Sequence, residues 1–229
     1  AGDSVIVPAI TFLATANAAR FVGAEVVFAD VDPASGLMEA RHFEDALSRA
    51  SESRVKAVIP VHLGGQCADL TAVKEVAVKN GVRIVEDACH ALGARYSGDT
   101  IGNCRHSDMA VFSFHPVKTI AMGEGGAVMS NDQEIVAKIS LMRNHGMSRD
   151  KGSFSNGTLA FNEAGKAYPW YYEMADIGYN YRASDIHCAL GLSQLGKLNG
   201  FVRRRRELAA LYDELLSTLS PVVRPVGRN

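Results

Sequence analysis

The chain has 229 residues, of which 47% are hydrophobic and 21% are charged, which is typical of a globular protein with one sizeable core. Its 24 basic and 25 acidic side chains give a formal net charge of -1, so no broad positive field is present to hold nucleic acid. No stretch approaches the roughly 20 consecutive apolar residues of a membrane span, and the first residues do not have the basic-then-apolar pattern of a signal sequence. We therefore expect neither nucleic acid nor membrane as a partner.

Short runs rich in β-branched residues alternate with longer stretches of helical period, which predicts βα units around a mostly parallel sheet. The predicted strands are, in chain order, Ser4–Val7, Glu25–Ala29, Val55–Val61, Val82–Glu86, Met109–Phe114 and Ala127–Ser130. The predicted helices are Thr11–Val22, Glu39–Ala50, Leu70–Asn80, Gln133–Arg143, Ser184–Leu198 and Arg203–Leu219. Near-continuous apolar strands such as Val82–Val85 favour burial of both sheet faces.

Two later segments bear on the domain organisation. The periodicity fails from Gly146 to Asp176, where aromatics and glycines collect, and a loop of that length is usually functional or an interface. In the last helix, Arg203–Arg206 are interpreted as a solvated face rather than a nucleic-acid patch, because Leu208, Leu211 and Leu215 supply the buried stripe of the helix. We expect residues 1–200 to form a large domain and residues 201–229 a linker helix and the start of a small domain. Both ends look like cuts within a longer protein.

The four cysteines, at positions 67, 89, 104 and 188, have no C-x-x-C pair and no regular spacing. Zinc sites and secreted disulfide frameworks need such spacing, so we expect reduced thiols in a cytoplasmic protein and no metal. A metal site built from Asp87, Cys89 and His90 also matches no standard zinc pattern.

Two predicted strands end in residues that carry chemistry, at the edge where open α/β sheets bind ligands. Val82–Glu86 is followed by Asp87 and then His90, and Met109–Phe114 leads to Lys118 and the turn Gly123–Gly126. A neutral lysine forms a Schiff base with an aldehyde, and an aspartate can keep a pyridine nitrogen protonated as an electron sink. Taken singly, a strand-end aspartate is more often a cap or turn residue, and a loop lysine is usually just solvated.

Five motifs in one order resemble the DegT/DnrJ/EryC1/StrS family of sugar aminotransferases. They are Gly2–Pro8 with Thr11-Phe12, Val61–Gln66, Glu86–Ala91, Phe112–Gly126, and Gly178–Arg182 with Ser184–Ile186. The resemblance covers essentially the whole chain. It implies an α/β fold, the large domain of a pyridoxal-phosphate (PLP) dependent transferase of the aspartate aminotransferase type (fold type I), with a mostly parallel sheet flanked by helices. Residues 1–200 would then be the PLP-binding domain, without the N-terminal segment that cradles the phosphate.

The resemblance also implies roles for four residues around the cofactor ring. Lys118 would hold PLP covalently and shuttle the substrate proton, and Asp87 would pair with the pyridine nitrogen. Phe12 would stack on the ring, although an ordinary core aromatic is the alternative. His90 would lie near the phenolic oxygen of the cofactor, or serve as a hydrogen-bonded structural histidine.

Two further residues resemble the family's phosphate ligands. Ser113, five residues before the lysine, would bind the PLP phosphate through its hydroxyl. Asn180 would reach the same phosphate from the neighbouring subunit. The resemblance therefore implies a homodimer with a shared active site.

The substrate is also implied only by resemblance. His115–Lys118, Val61–Gln66 and Tyr172–Met174 look like the branch that aminates C4 of UDP-linked 4-keto-6-deoxy amino sugars on the way to pseudaminic acid, with L-glutamate as amino donor. Two alternatives stay open: a PLP-dependent sugar dehydratase, in which histidine replaces the lysine, and a non-catalytic regulatory homologue. Lys118 argues against the first, and Lys118 with Asp87 against the second. A nicotinamide dehydrogenase is set aside, because no G-x-G-x-x-G follows a first strand.

Overall fold

The computed structural model describes residues 2–50 and 54–219 and divides the chain into two compact units. One unit combines residues 1–131 and 185–229, and the other is formed by residues 132–184. No helix of the described ranges is long and apolar enough to cross a membrane.

The elements alternate along the chain as the periodicity predicts. The strands are β1 Asp3–Pro8, β2 Glu25–Ala29, β3 Arg54–Val58, β4 Arg83–Asp87, β5 Arg95–Tyr96, β6 Asp99–Thr100, β7 Met109–Ser113, β8 Gly126–Met129, β9 Met147–Ser148 and β10 Glu173–Met174. The α-helices are α1 Leu13–Phe21, α2 Ala40–Arg49, α3 Leu70–Asn80, α4 Gln133–Met142, α5 Gly157–Ala160, α6 Asp185–Leu195 and α7 Leu198–Leu216. All six predicted strands and all six predicted helices are present, with ends that differ by a few residues.

The first unit is built on a six-stranded sheet in the order β2-β1-β3-β4-β7-β8. The first five of these strands are parallel, and β8 is antiparallel to β7. This confirms the predicted mostly parallel sheet. Because β4 and β7 are parallel neighbours, their carboxyl ends lie at the same edge, with Asp87 paired to Val111.

Helices α2 and α3 bury one core against the sheet. Phe43 and Val73 from the helices meet Ile6, Val58 and Ile84 from the strands, and each of these side chains is at most 3% exposed. Helix α3 begins and ends where the sequence predicts. The Asp69 carboxylate accepts a hydrogen bond from the Ala72 N–H (3.1 Å), and Gly81 ends the helix in the left-handed conformation at φ 64°.

A second core cluster fixes the chain that follows β4. Ala88 and Ala91 are buried beside Leu70, Ala110 and Phe112. The main chain adds a hydrogen bond from the Ala88 N–H to the Val111 carbonyl (2.9 Å). The turn that carries His90 is therefore held against β7 by both packing and hydrogen bonding.

The second unit corrects the expectation of a long loop from Gly146 to Asp176. That segment contains β9 and β10, which pair as antiparallel strands, and the short helix α5. The Glu173 carboxylate links β10 to the residues before α5 by accepting hydrogen bonds from the Ser155 N–H (2.7 Å) and the Asn156 N–H (2.9 Å). These bonds lower the pKa of Glu173 to about 2.

The predicted burial of the leucine stripe of the last helix is wrong for the part of the chain that the structure describes. Leu208, Leu211 and Leu215 are 37%, 47% and 62% exposed. The helix α7 instead packs through its beginning, where Leu198 and Val202 approach Gly93. The predicted domain boundary at residue 200 falls inside α7 and stays a prediction, and residues 220–229 lie outside the described ranges.

Candidate active site

The candidate site lies at the carboxyl ends of β4 and β7. Strand β4 ends at Asp87 and strand β7 ends at Ser113, two residues beyond Val111, the partner of Asp87. Lys118 follows Ser113 in a turn, where its N–H donates to the His115 carbonyl (2.9 Å). The fold thus brings three of the predicted site residues to one edge of the sheet.

Asp87 is fixed through both its side chain and its main chain. The Thr15 hydroxyl donates to Oδ2 (2.8 Å), and the Cys89 N–H donates to Oδ1 (3.2 Å). The Asp87 N–H donates to the Pro60 carbonyl (2.9 Å), and the Asp87 carbonyl accepts from the His62 N–H (3.1 Å). The carboxylate therefore has a defined orientation and keeps lone pairs free for a further donor.

Thr15 was not predicted as a site residue. It lies in the first turn of α1, and its hydroxyl also shares a hydrogen bond with the Thr11 hydroxyl (2.8 Å). The spacing of four residues between the two threonines was visible in the sequence. Their link to Asp87 was not, because it depends on how α1 packs against β4.

A buried His62–Glu86 pair lies next to Asp87, since Glu86 precedes it in β4 and the His62 N–H donates to its carbonyl. The two side chains are 0% and 2% exposed, and His62 Nε2 lies 2.9 Å from Glu86 Oε2. His62 Nδ1 accepts a hydrogen bond from the Ala68 N–H (3.1 Å). The ring proton is therefore on Nε2, which donates a hydrogen bond to the Glu86 carboxylate. Ser107 donates to the other carboxylate oxygen. Every polar atom of the pair is thus satisfied, as burial requires.

His90 is held by the turn that begins with Leu63. The Gly64 N–H donates to His90 Nδ1 (3.3 Å). Gly65 has a φ of +87°, and a Cβ on it would lie 2.9 Å from the His90 carbonyl oxygen, so only glycine allows this approach. Partial burial, followed by the positive charge of Lys118, lowers the pKa of His90. Because Nδ1 accepts the Gly64 N–H, the neutral form of the ring carries its proton on Nε2 and can donate from there.

The loop after β7 places Lys118 close to these groups. The side chain is half-buried, and it forms no ion pair with a carboxylate in residues 2–50 or 54–219. Its charge opposes the rise in the pKa of Cys89, which reaches about 12 because of burial and the neighbouring Asp87. The Cys89 thiol therefore stays protonated, and the role of Lys118 as the nucleophile of the site stays a prediction.

The other predicted residues have different settings. Phe12 is the residue just before α1 and is 67% exposed, so within the described chain it is not a core aromatic. The Ser113 hydroxyl accepts a long hydrogen bond from the His115 N–H (3.4 Å). Asn180 belongs to the second unit, where its backbone pairs with Asn144. Its predicted reach across a subunit interface stays a prediction.

A sequence profile described as the DegT/DnrJ/EryC1/StrS aminotransferase family matches residues 1–228. The chain belongs to this family. Pyridoxal phosphate is the cofactor of its aminotransferases, and a solved Streptococcus pneumoniae relative, the putative sugar aminotransferase Spr1654, is described in its PLP form. That structure is 28% identical with a TM-score of 0.78, and the match covers 94% of this chain and 54% of that one.

Two further family members are similar to this chain. A UDP-4-amino-4,6-dideoxy-N-acetyl-beta-L-altrosamine transaminase of Campylobacter jejuni is 37% identical over 210 residues, which are 92% of this chain and 50% of the relative. The Helicobacter pylori aminotransferase PseC, described as involved in the biosynthesis of pseudoaminic acid, is 31% identical with a TM-score of 0.79, covering 99% of this chain and 56% of that one. These similarities confirm the predicted α/β fold of a PLP-dependent aminotransferase. The chain spans about half the length of the curated relatives it matches.

The residues at this edge of the sheet fit PLP in their chemistry. The free Lys118 amine suits its aldehyde, and the oriented Asp87 carboxylate has capacity for a ring N–H. The exposed Phe12 offers an aromatic face, the neutral His90 a donor and Ser113 a hydroxyl. Among the residues that the structure describes, no group of three or more His, Cys, Asp or Glu side chains is placed to hold a metal ion.

The hydrogen bond from Thr15 to Asp87 gives a direct test of how the carboxylate is positioned. Replacing Thr15 by Val removes the donor and keeps the shape of the side chain. Without this bond the carboxylate must be ordered when the cofactor binds, at a cost of about 0.5–1.5 kcal/mol, so we expect the Kd of the full-length protein for PLP to rise by about two- to tenfold. Thr15→Ser keeps the hydroxyl and should stay within about twofold of the wild type. Equal PLP affinity in the Val and Ser variants, by absorbance titration, would contradict this role.

The buried His62–Glu86 pair gives a stability test. Glu86→Ala leaves the His62 Nε2–H and the Ser107 hydroxyl buried without their acceptor, so the free energy of unfolding should fall by about 3–5 kcal/mol. Glu44→Ala, at an exposed glutamate on α2, should change it by less than about 0.5 kcal/mol. Chemical denaturation of the full-length variants measures both values. A similar small change in the two variants would rule out the structural role of the pair.

Proposed function

We propose that the full-length protein is a PLP-dependent aminotransferase that transfers an amino group from L-glutamate to a nucleotide-linked keto sugar. The proposed acceptor carbon is C4 of a UDP-linked 4-keto-6-deoxy amino sugar. The similarity to the Campylobacter jejuni transaminase supports this choice, since that relative carries the name of a UDP-linked 4-amino sugar. The proposed location of the enzyme is the cytoplasm.

One observation carries the proposal: an oriented carboxylate and an uncommitted lysine share one edge of the sheet. The Asp87 carboxylate is held by the Thr15 hydroxyl and the Cys89 N–H. Lys118 lies close enough to Cys89 and His90 to act on the pKa of both. A protein that only bound a ligand would not require both groups in this arrangement.

The reaction divides between the cofactor and the protein. When bound, PLP supplies an aldehyde carbon and a ring that accepts electrons from the bond broken in the substrate. Lys118 provides the amine that holds the cofactor and then moves a proton to and from the substrate carbon at Nζ. Asp87 accepts a hydrogen bond from the ring nitrogen, in an orientation set before the cofactor binds.

The remaining site residues orient the cofactor. His90 would donate from Nε2–H to the phenolic oxygen of the cofactor, since its Nδ1 already accepts the Gly64 N–H. Phe12 stacks on the ring, and Ser113 binds the phosphate. Asn180 completes the phosphate site from the partner subunit of a homodimer, so each active site is shared between two copies.

The role of Lys118 can be tested in the full-length protein supplied with PLP, L-glutamate and a UDP-linked 4-keto-6-deoxy amino sugar. Lys118→Ala removes the only proposed nucleophile, so formation of the amino sugar should fall by roughly three orders of magnitude or more. Lys118→Arg is the matched control, because it keeps the positive charge but cannot form the covalent bond and should be equally inactive. Mass spectrometry of the sugar nucleotide measures the product.

Three outcomes of this assay would contradict the proposal. Normal turnover by Lys118→Ala would show that another residue holds the cofactor. Loss of water from the sugar without consumption of glutamate would identify a dehydratase. A folded wild-type protein that binds PLP but converts neither glutamate nor sugar would be a non-catalytic homologue.

A further inference from the structure

The loop that carries Lys118 is closed at its base by main-chain hydrogen bonds. The Met122 N–H donates to the Phe114 carbonyl (2.9 Å), and the Phe114 N–H donates to the Gly125 carbonyl (2.8 Å). Lys118 lies in the chain halfway between Phe114 and Met122, where its own N–H donates to the His115 carbonyl (2.9 Å). The position of Lys118 therefore depends on what holds the segment from Met122 to Gly125.

The Met122 side chain is buried between two glycines. It is 5% exposed. A Cβ on Gly125, in the same loop, would lie 2.6 Å from Met122 Sδ. A Cβ on Gly191, in the middle of α6, would lie 3.2 Å from Met122 Cβ. Met122 thus occupies space that a side chain on either glycine would need, as is usual in a close-packed interior.

Helix α6 approaches the loop at two points. Gly191 meets Met122, and His187 lies where a Cβ on Gly123 would be 3.1 Å from its ring. His187 and Gly191 are four residues apart, so they share one face of the helix. Glycine weakens the interior of a helix, and a glycine found there usually has a packing reason. The close approach of Met122 supplies that reason for Gly191.

We propose that Met122 is a positioning residue: its packing between Gly125 and Gly191 fixes the Lys118 loop against α6 and so sets where the lysine amine lies. A misplacement of about 1 Å can cost roughly 10²-fold in rate, even when the mutated residue is far from the reacting atoms. Met122 acts through Lys118 and needs no contact with the substrate. The inference rests on the proposed function, in which Lys118 moves a proton to and from the substrate carbon.

The first test compares two truncations of buried methionines in the full-length protein loaded with PLP. Met122→Ala removes the side chain that meets α6, and Met38→Ala removes a side chain that is 1% exposed in the core against α2 and α3. Stopped-flow absorbance follows the spectral change of bound PLP with L-glutamate. We expect the maximal rate of Met122→Ala to fall by about ten- to a hundredfold, with the half-saturating glutamate concentration within about threefold of the wild type. Met38→Ala should keep both values within about twofold, and Met122→Leu, which keeps the volume, within about threefold.

A pair of glycine substitutions separates positioning from stability. Gly191→Ala adds a methyl group against Met122 but favours the helix, so it should slow the same reaction by about threefold or more while the thermal midpoint changes little. Gly200→Ala, in α7, is the matched control, because among the described residues no atom lies within 4 Å of a Cβ added there. This pair decides the inference if Met122→Ala does not fold.

Hydrogen exchange of the full-length protein without PLP tests the loop itself. The amides of Phe114 and Met122 close the loop, so loosening it should expose them to exchange. Mass spectrometry of peptides that cover residues 112–126 should show faster exchange in Met122→Ala than in the wild type or Met38→Ala.

Equal rates with glutamate within either pair of variants would overturn the inference and leave the proposed function in place. A wild type that shows no spectral change with glutamate would instead overturn the proposed function. In that case the exchange data decide the inference alone. Faster exchange of residues 112–126 in Met122→Ala would support it, and unchanged exchange would contradict it.

Discussion

The buried hydrogen bond between His62 and Glu86 is the constraint on which the site depends. It joins the chain that follows β3 to the end of β4, and neither side chain is accessible to water. Because buried polar groups must find partners inside the protein, the pair permits one arrangement of these two segments. Asp87 and the turn at Gly64 are the immediate neighbours of the pair, so their positions follow from it.

Hydrogen bonds and strand pairing connect the other site residues to this pair. The Asp87 main chain is bonded to Pro60 and His62, and its carboxylate is bonded to Thr15 at the start of α1. The turn after His62 holds His90 through the Gly64 N–H. Parallel pairing of β4 with β7 then brings the Lys118 loop to the same edge. An acid and a histidine are thus held by hydrogen bonds, and a lysine follows at the same edge, which is an arrangement suited to the proposed cofactor chemistry.

The sequence predicted the fold well where local signals and burial agree. Helix α3 has its predicted bounds because Asp69 caps its start and Gly81 ends it. The prediction failed where the outcome depends on contacts distant in sequence. The segment from Gly146 to Asp176 shows no regular hydrophobic periodicity, because its short elements are held by hydrogen bonds to single side chains such as Glu173. The leucine stripe of α7 has helical spacing, but spacing alone does not say which face meets the rest of the unit.

The site residues also divide into those that local sequence signals indicate and those that depend on contacts distant in sequence. The placement of Asp87 and Lys118 at one edge of the sheet could be predicted, because both follow strands that pair in parallel, and their roles stay predictions. Thr15 and the His62–Glu86 pair could not, because their roles arise only when α1, β4 and the chain after β3 approach one another. Asn180 stays a prediction from resemblance.

The central claim is that Lys118 is the residue that holds PLP. The most direct measurement is an absorbance spectrum of the full-length protein with PLP, before and after borohydride, followed by proteolysis and mass spectrometry of the labelled peptide. The account predicts a visible band that borohydride removes and a cofactor label on the peptide that contains Lys118. A label on another lysine, or a folded protein that shows no such band, would contradict it.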